Sequence, residues 1–316
     1  MTHQPSFSQA EFATKKKITR REKFLARMEA LIPWTKLLAV IEPFYPQGER
    51  GRPPVGLERM LRVYFLQQWY GLADEALEDA LYDSQAMQGF ARIDLAAEGV
   101  PDATTLLKFR RLLETHDLCQ GLFAAINADL TARGLLLREG TLVDATLIAA
   151  PPSTKNKEKK RDPEMHQTRK GQQWFFGMKL HIGVDSQTGL AHSAVVTAAN
   201  VHDKHPLPDL LHGQEERVYG DCAYAAQQAL MRAKAPGAQD FTNKPVRKGS
   251  VTEELERMVN RAKSRVRARV EHVFGVVKRL WGFDKVRYRG LAKNATRAFV
   301  VTALANIFLA RMRLAA

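Results

Sequence analysis

The sequence predicts an α/β core, a mixed sheet flanked by helices, preceded by an all-α N-terminal domain. Two patterns predict this fold. Apolar residues recur at helical spacing from about residue 24 to residue 135. Three short β-branched or apolar runs then follow in series after Gly140, and beyond them strands alternate with helices. The length of 316 residues suits about two domains, and a hydrophobic content of 45% is enough for a packed core.

Excess positive charge is the main feature of the composition. Lys and Arg total 48 against 34 Asp and Glu, which gives a net charge of +14 and a pI near 9.8. This excess favours a polyanionic partner, and nucleic acid is the commonest polyanion in a cell. Charge alone is equally consistent with a purely solubilising effect.

The sequence disfavours membrane, secreted and zinc or redox proteins. The best apolar run, Ala298–Leu309, is shorter than the ~18 residues of a membrane helix. The N-terminus has no basic segment followed by an apolar one, so secretion is not expected. Cys119 and Cys222 match no zinc or redox spacing. We therefore expect a cytoplasmic protein.

The N-terminal part of the chain is predicted to hold a basic arm and a helical domain. Residues 1–23 include Lys15, Lys16, Lys17, Arg20 and Arg21, and they predict a mobile arm. Residues 24–138 predict a helix-turn-helix-like bundle of short helices joined by tight turns. These helices are expected near residues 24–32, 57–69, 74–82, 103–115 and 118–133.

Residues 103–115 are the candidate DNA-facing helix of this domain. Asp102 is a plausible N-cap, and Lys108, Arg110 and Arg111 supply positive charge. Periodicity alone favours solvated surface charges over DNA contacts, so both interpretations stay open.

Residues 139–316 are predicted to form the α/β domain. Its first strand covers residues 141–148, and residues 175–184 and 190–198 form a hairpin around a turn sequence. A long helix is expected at 252–280 and a last one at 291–314, with further elements at 207–211, 217–219, 223–233 and 239–242.

A basic loop, residues 151–173, separates the first two strands of this domain. It carries seven basic residues against three acidic ones, a net charge of +4. A loop of this length in a compact domain is usually functional or disordered, and a polyanionic partner would explain its charge. The basic residues are Lys155, Lys157, Lys159, Lys160, Arg161, Arg169 and Lys170.

Three acidic residues occupy positions where a carboxylate is informative. Asp144 lies within an apolar strand, where an unpaired charge is costly. Asp221 follows the short strand 217–219, and ligands bind at the carboxyl ends of strands in α/β sheets. Glu271 is one residue off the apolar stripe of the long helix and is expected to face the sheet.

Convergence of these three acids would create a site for two divalent cations. Two metals about 3.5–4 Å apart can drive an in-line displacement at phosphorus, and oxygen ligands favour Mg²⁺ or Mn²⁺. Arg267 and Lys278 share a helix face with Glu271 and would hold phosphate, as would Lys179. Each acid taken alone has an ordinary structural explanation: a strand-end acid, a helix N-cap or an ion pair.

Other polar or aromatic candidates are weaker. A satisfied structural position is favoured for His181, His202 and Asp203. Trp174 could stack on an unpaired base, although core packing is more common.

Several segments together resemble the DDE transposases of bacterial insertion sequences, in the group named after insertion sequence five. The segments span nearly the whole chain, among them LERMLRVYFLQQWYGLADEALEDALYD, VPDATTLLKFRRLLE, GTLVDATLI, WFFGMKLHIGVD, TAANVHD and RARVEHVFGVVKR. The resemblance implies an RNase H-like core in which Asp144, Asp221 and Glu271 are the metal-binding acids.

The same resemblance identifies a signature of Tyr, two residues, Arg, three residues, Glu, six residues and Lys. Arg267, Glu271 and Lys278 match it, while Ser264 stands at the tyrosine position. The resemblance implies an enzyme that cuts DNA at terminal inverted repeats and joins the freed 3′ ends to target DNA. Because two ends must be handled together, we expect a homodimer or higher oligomer on double-stranded DNA.

Two other functions remain open from the sequence. A non-catalytic DNA-binding regulator derived from a transposase would not need all three acids. An RNase H-like nuclease would cleave DNA without strand transfer.

Overall fold

The computed structural model describes residues 14–48, 53–247 and 249–315. The chain divides into two compact units, one reaching to Ala125 and including the residues from Arg311 on, the other spanning Ile126–Ala310. Residues 1–13 of the predicted arm lie outside the described residues. The arm was predicted too long, because helix α1 (Arg20–Leu31) begins inside it, where Thr19 and Glu22 form a capping box.

The first unit is all-helical in its described part, as predicted. Its central helix, α3, is buried along its whole length from Met60 to Trp69. Gly71, in the left-handed conformation, ends this helix, and Asp102 caps α6 by accepting a hydrogen bond of 2.6 Å from Thr105 N. The helices are α1, α2 (Trp34–Ile41), α3 (Leu57–Tyr70), α4 (Asp74–Asp83), α5 (Gln85–Ala91), α6 (Ala103–Thr115) and α7 (Leu118–Ala132), which crosses the boundary between the units.

A mixed sheet forms the centre of the second unit, which confirms the predicted sheet flanked by helices. Strand β3 pairs antiparallel with β1 and with β4, and its N-terminal end also pairs antiparallel with β2. Strand β5 pairs parallel with β1 and with β6. The strands are β1 (Gly140–Ala149), β2 (His166–Lys170), β3 (Gln173–Asp185), β4 (Ala191–Ala198), β5 (Arg217–Tyr219) and β6 (Gln239–Asp240).

Two predictions of local structure need correction. Part of the basic loop is ordered, because β2 forms a hairpin with β3 around Gly171, whose φ of 62° suits the turn. The predicted long helix is broken into α10 (Glu253–Arg267), α11 (Val270–Phe274) and a π-helical turn (Gly275–Leu280). Between α10 and α11, the amides of Arg269, Glu271 and His272 bond three residues back instead of four, which tightens the chain.

Helices cover the sheet and complete the core. The short helices are α8 (Leu207–Leu210) and α9 (Gln228–Lys234), and they contribute Leu207, Leu210 and Met231 to a cluster with Val143 and Val218. The last helix is α12 (Leu291–Leu314). By length and composition α12 could cross a membrane, but 61% of its apolar window is buried inside the protein, as in a core helix.

Candidate active site

Asp144 lies in the middle of β1, opposite Ile182 of β3. Its Oδ1 accepts a hydrogen bond of 2.8 Å from Ala145 N, and its Oδ2 lies 2.7 Å from Arg267 Nη1. The carboxylate is mostly buried, with 19% of the side chain exposed. A charge in this position needs a counter-charge, which Arg267 provides.

Asp221 reaches the same region from the end of β5. Because β5 runs parallel to β1, Asp221 emerges beside β1, and its Oδ1 accepts a hydrogen bond of 2.9 Å from Ala223 N. A side chain on the residue before it would crowd Tyr224, because a Cβ at Gly220 would lie 3.0 Å from the Tyr224 ring, closer than ordinary van der Waals contact. Gly220 therefore lets the chain turn closely over Tyr224 and place Asp221 at the strand end.

Both carboxylates line a cavity of about 450 Å³. The cavity combines acidic oxygens, which suit a divalent cation, with basic side chains, which suit phosphate. Its charged lining residues are Asp144, Asp203, Asp221, Asp284, Arg169, Lys170, Lys179 and Lys278.

The electrostatics of the cavity favour a bound cation. Burial raises the pKa of Asp144 to about 6, and the charges of Asp221 and Asp203 raise it further, against the opposing effects of Ala145 N–H and Arg267. The pKa of Tyr224 is also raised, first by burial and then by the charges of Asp203, Asp144 and Asp221. The Tyr224 hydroxyl is buried without a hydrogen-bond partner among the described residues. A cation among these carboxylates would relieve their repulsion.

Two lysines of the cavity are held by specific contacts. Lys278 Nζ donates to Thr146 Oγ1 at 3.0 Å and to the Leu147 carbonyl at 2.9 Å, and burial lowers its pKa. Lys179 Nζ lies 2.8 Å from Asp203 Oδ1. Both ammonium groups are thus fixed at the cavity wall beside β1 and β3.

Glu271 is not brought to the cavity. Its side chain is exposed, and the residue does not line the cavity. The tightened turn between α10 and α11 separates it from the helix face of Arg267, so Arg267 pairs with Asp144 and not with Glu271. Across residues 14–48, 53–247 and 249–315, no three acidic, histidine or cysteine side chains are close enough to hold one ion.

Family models identify the kind of protein to which this cavity belongs. A model described as a transposase DDE domain matches residues 136–307, which is more than half of the chain. The chain belongs to the DDE transposase family. A second model, described as a transposase domain, matches residues 12–112. Membership implies a metal-dependent DNA-cutting enzyme, and no solved structure was found to match the chain.

Most basic residues of the transposase's loop are exposed and lie before or within the β2–β3 hairpin. Arg161 also stacks on Phe176, with the guanidinium 5.4 Å from the ring centre. Two acidic loop residues have structural partners instead: Asp162 accepts from Gly290 N at 2.7 Å and Glu164 from Leu291 N at 2.6 Å. These bonds hold the loop to the start of α12 and leave an excess of positive charge facing solvent.

The three basic candidates on α6 differ in their surroundings. Lys108 and Arg111 are exposed. Arg110 instead forms a two-pronged ion pair with Asp74, at 2.5 Å and 2.6 Å. Packing of α6 against α4 explains this ion pair, and DNA binding by Arg110 stays a prediction.

The pattern of residues predicted neither the position of Asp203 nor that of Trp174, and it gave no signal for Tyr224. Asp203 was predicted to be structural but lines the cavity. Trp174 was expected in the core but is 64% exposed. The segment TAANVHD, part of the resemblance, was the one feature of the sequence that could have pointed to Asp203.

Proposed function

We propose that this transposase binds the terminal inverted repeats of an insertion sequence of the insertion-sequence-five group, cleaves DNA and joins the 3′ ends to target DNA by two-metal phosphoryl transfer. The observation that carries the proposal is the meeting of Asp144 and Asp221 in one cavity with Lys179 and Lys278. An RNase H-like core is supported by strand order: three long antiparallel strands, β1, β3 and β4, with the short β2 between the first two, are followed by the parallel strands β5 and β6. We place the enzyme in the cytoplasm, acting on DNA as a homodimer or larger oligomer.

The donor set fits Mg²⁺ or Mn²⁺ in charge and chemistry. Asp144 and Asp221 would hold the ions, with Glu271 as the third ligand on the strength of its motif. When bound, two such ions activate a water or a 3′-hydroxyl and stabilise the leaving oxygen. The Arg267 guanidinium contacts the Asp144 oxygen that a cation would bind, so the guanidinium and an ion would compete for this carboxylate.

The remaining side chains would bind and orient DNA. Lys278 and Lys179, fixed at the cavity wall, are placed to contact the phosphate that is cut, and Arg267 would join them when it leaves Asp144. The loop residues Lys155, Lys157, Lys159, Lys160, Arg161, Arg169 and Lys170 would follow the backbone nearby. Lys108 and Arg111 of the helical unit are proposed to contact the transposon end.

The exposed position of Glu271 is the observation that favours a second function, a non-catalytic DNA-binding regulator. A cleavage assay separates the candidates. The substrate is duplex DNA from the ends of the element that encodes this chain, with Mg²⁺ and a target duplex. A transposase yields cleaved and joined products, a nuclease yields only cleaved products, and a regulator binds without cutting.

Removing loop charge is expected to weaken DNA binding and its salt dependence. Lys157→Gln with Lys160→Gln should lower the slope of log affinity against log salt concentration by about 0.9 for each phosphate that the variant no longer neutralises. The matched control is Arg232→Gln with Lys234→Gln, two exposed basic residues on α9. Fluorescence anisotropy with a labelled duplex at several salt concentrations measures the affinity and the salt slope of each double variant. Equal slopes in the two double variants would remove the loop from the DNA-binding surface.

The stability of the metal-free protein is expected to carry a pH dependence that comes from Asp144. Burial raises the pKa of Asp144 from 3.8 to about 6, so between these values the folded state binds more protons than the unfolded chain. Stability is therefore lost as the pH rises through this range and the buried carboxyl ionises.

The Asp144→Asn variant lacks this ionisation. Its melting temperature should rise relative to that of the wild type between about pH 4 and pH 8, and Mg²⁺ should reduce the difference by stabilising only the wild type. Thermal unfolding followed by circular dichroism at several pH values measures the difference in melting temperature between the variant and the wild type. A difference that does not change with pH would show that Asp144 does not titrate in this range.

A further inference from the structure

Helix α10 turns its polar side towards the protein. The Asn260 side chain forms two hydrogen bonds with the backbone of Lys244. Its Oδ1 accepts from Lys244 N at 3.1 Å, and its Nδ2 donates to the Lys244 carbonyl at 2.8 Å. Lys263 donates to the Thr242 carbonyl at 3.0 Å, and Ser264 accepts from Asn243 at 2.9 Å. No residue of α10 is buried. Polar contacts therefore anchor this helix, which is the reverse of ordinary amphipathic packing.

The opposite side of α10 is an exposed apolar stripe. Leu255 is 61% exposed, Met258 60% and Val259 44%, and Ala262 is also exposed. Their spacing of three, one and three residues places them on one face. Val251, in the turn just before the helix, is also fully exposed. Large apolar side chains grouped in this way mark an interaction surface.

Charges run along one flank of the stripe with opposite signs at its two ends. Glu254 lies near the start of α10, and Arg261 and Arg265 lie seven and eleven residues later. At ~100° per residue, all three fall within about 20° of one line along the helix. The flank is thus negative at the N-terminal end and positive at the C-terminal end.

We propose that α10 pairs antiparallel with α10 of a second copy of this chain. A two-fold axis between Met258 and Val259 sets Leu255 opposite Ala262 of the second copy and covers the stripe on both helices. The same arrangement brings the charged flanks of the two helices together and places Glu254 between Arg261 and Arg265 of the second copy. A parallel two-fold pair would put the charged flanks on opposite sides of the interface, where Glu254 could not reach the arginines of the second copy. Charge complementarity therefore selects a second copy in antiparallel orientation.

The paired helices would also position the two cavities relative to each other. This role rests on the proposed function, whereas the pairing itself does not. Helix α10 ends at Arg267, which contacts Asp144 in the cavity. Pairing would fix the spacing of two catalytic cavities, as the joint handling of two transposon ends requires. A single-helix contact is smaller than a standard interface of roughly 800 Å² per partner, so the pair should be weak without DNA.

Sedimentation equilibrium of the full-length chain without DNA tests the pairing. The wild type is expected to show a reversible monomer–dimer equilibrium. Met258→Lys should weaken it at least tenfold, because a charge would enter the centre of the interface. Met312→Lys, at a residue 68% exposed on α12, is the matched control and should leave it unchanged.

Charge reversal tests the orientation. Glu254→Arg alone, and Arg261→Glu with Arg265→Glu, should each weaken the dimer, while all three substitutions together should restore it. A monomeric wild type, a dimer insensitive to Met258→Lys, or failure of the triple variant to recover would overturn the proposal. DNA cleavage is not the readout, so failure of the proposed function would leave these outcomes unaffected.

Discussion

Asp221→Asn is expected to abolish DNA cleavage and strand joining while leaving DNA binding nearly intact. The amide has almost the same size and can still accept the hydrogen bond from Ala223 N, so the strand end should keep its shape. It lacks the negative charge that a divalent cation needs. We expect the rate of cleavage of a transposon-end duplex to fall by at least ~10³-fold, the scale of losing a group that acts in the transition state.

Asp209→Asn is the control for this variant. Asp209 is exposed on α8 and does not line the cavity, so its substitution should leave cleavage unchanged. Binding of the same duplex, measured by anisotropy in Ca²⁺, should be equal for the wild type and both variants. If Asp221→Asn cleaves at the wild-type rate, Asp221 is not a metal ligand.

Arg62→Met is expected to cause a large loss of stability in the helical unit. The Arg62 side chain is 1% exposed, forms ion pairs with Glu29 and Glu58, and lies 4.0 Å from the centre of the Trp34 ring. Removing one member of a buried ion pair leaves unpaired charge behind, which typically costs about 3–5 kcal/mol. Because Glu29 and Glu58 are each about one-third exposed and both also pair with Arg92, we expect a value near the lower end.

Urea unfolding followed by circular dichroism measures this loss. Adding Glu29→Gln and Glu58→Gln to Arg62→Met should recover part of the stability, because the two carboxylates, which would then have only the exposed Arg92 as a partner, are gone. Arg111→Met, at an exposed position on α6, is the control and should change stability by less than ~0.5 kcal/mol. A loss for Arg62→Met no larger than that of the control would show that the ion pairs contribute little.

Local patterns in the sequence were enough to predict most elements and two of the site's acids. Periodicity predicted α3 and α6, and the β-branched run predicted β1, because these elements bury one face or both. Asp144 and Asp221 stood out because a carboxylate within an apolar strand or just after one is unusual. Both are local properties of short segments.

Long-range contacts decided what the sequence left open. Strand β2 exists because it pairs with β3, and no local pattern in a basic loop predicted that pairing. Arg110 is an ion-pair partner because α4 brings Asp74 beside it. The broken helix moved Glu271 away from the face of Arg267, since i−3 bonds changed the angle between residues four apart.

By itself, the sequence determined the sheet-and-helix order, the positive charge and the transposase motifs, because these depend on residue type and spacing along the chain. Only the tertiary structure decided that Asp203 lines the cavity with Asp144 and Asp221, that the buried Tyr224 feels the charges of all three, and that α10 presents its apolar side outwards. An amphipathic pattern shows that a helix has two faces. Which face is covered depends on the hydrogen bonds offered by residues 242–244, which the helical pattern itself does not encode.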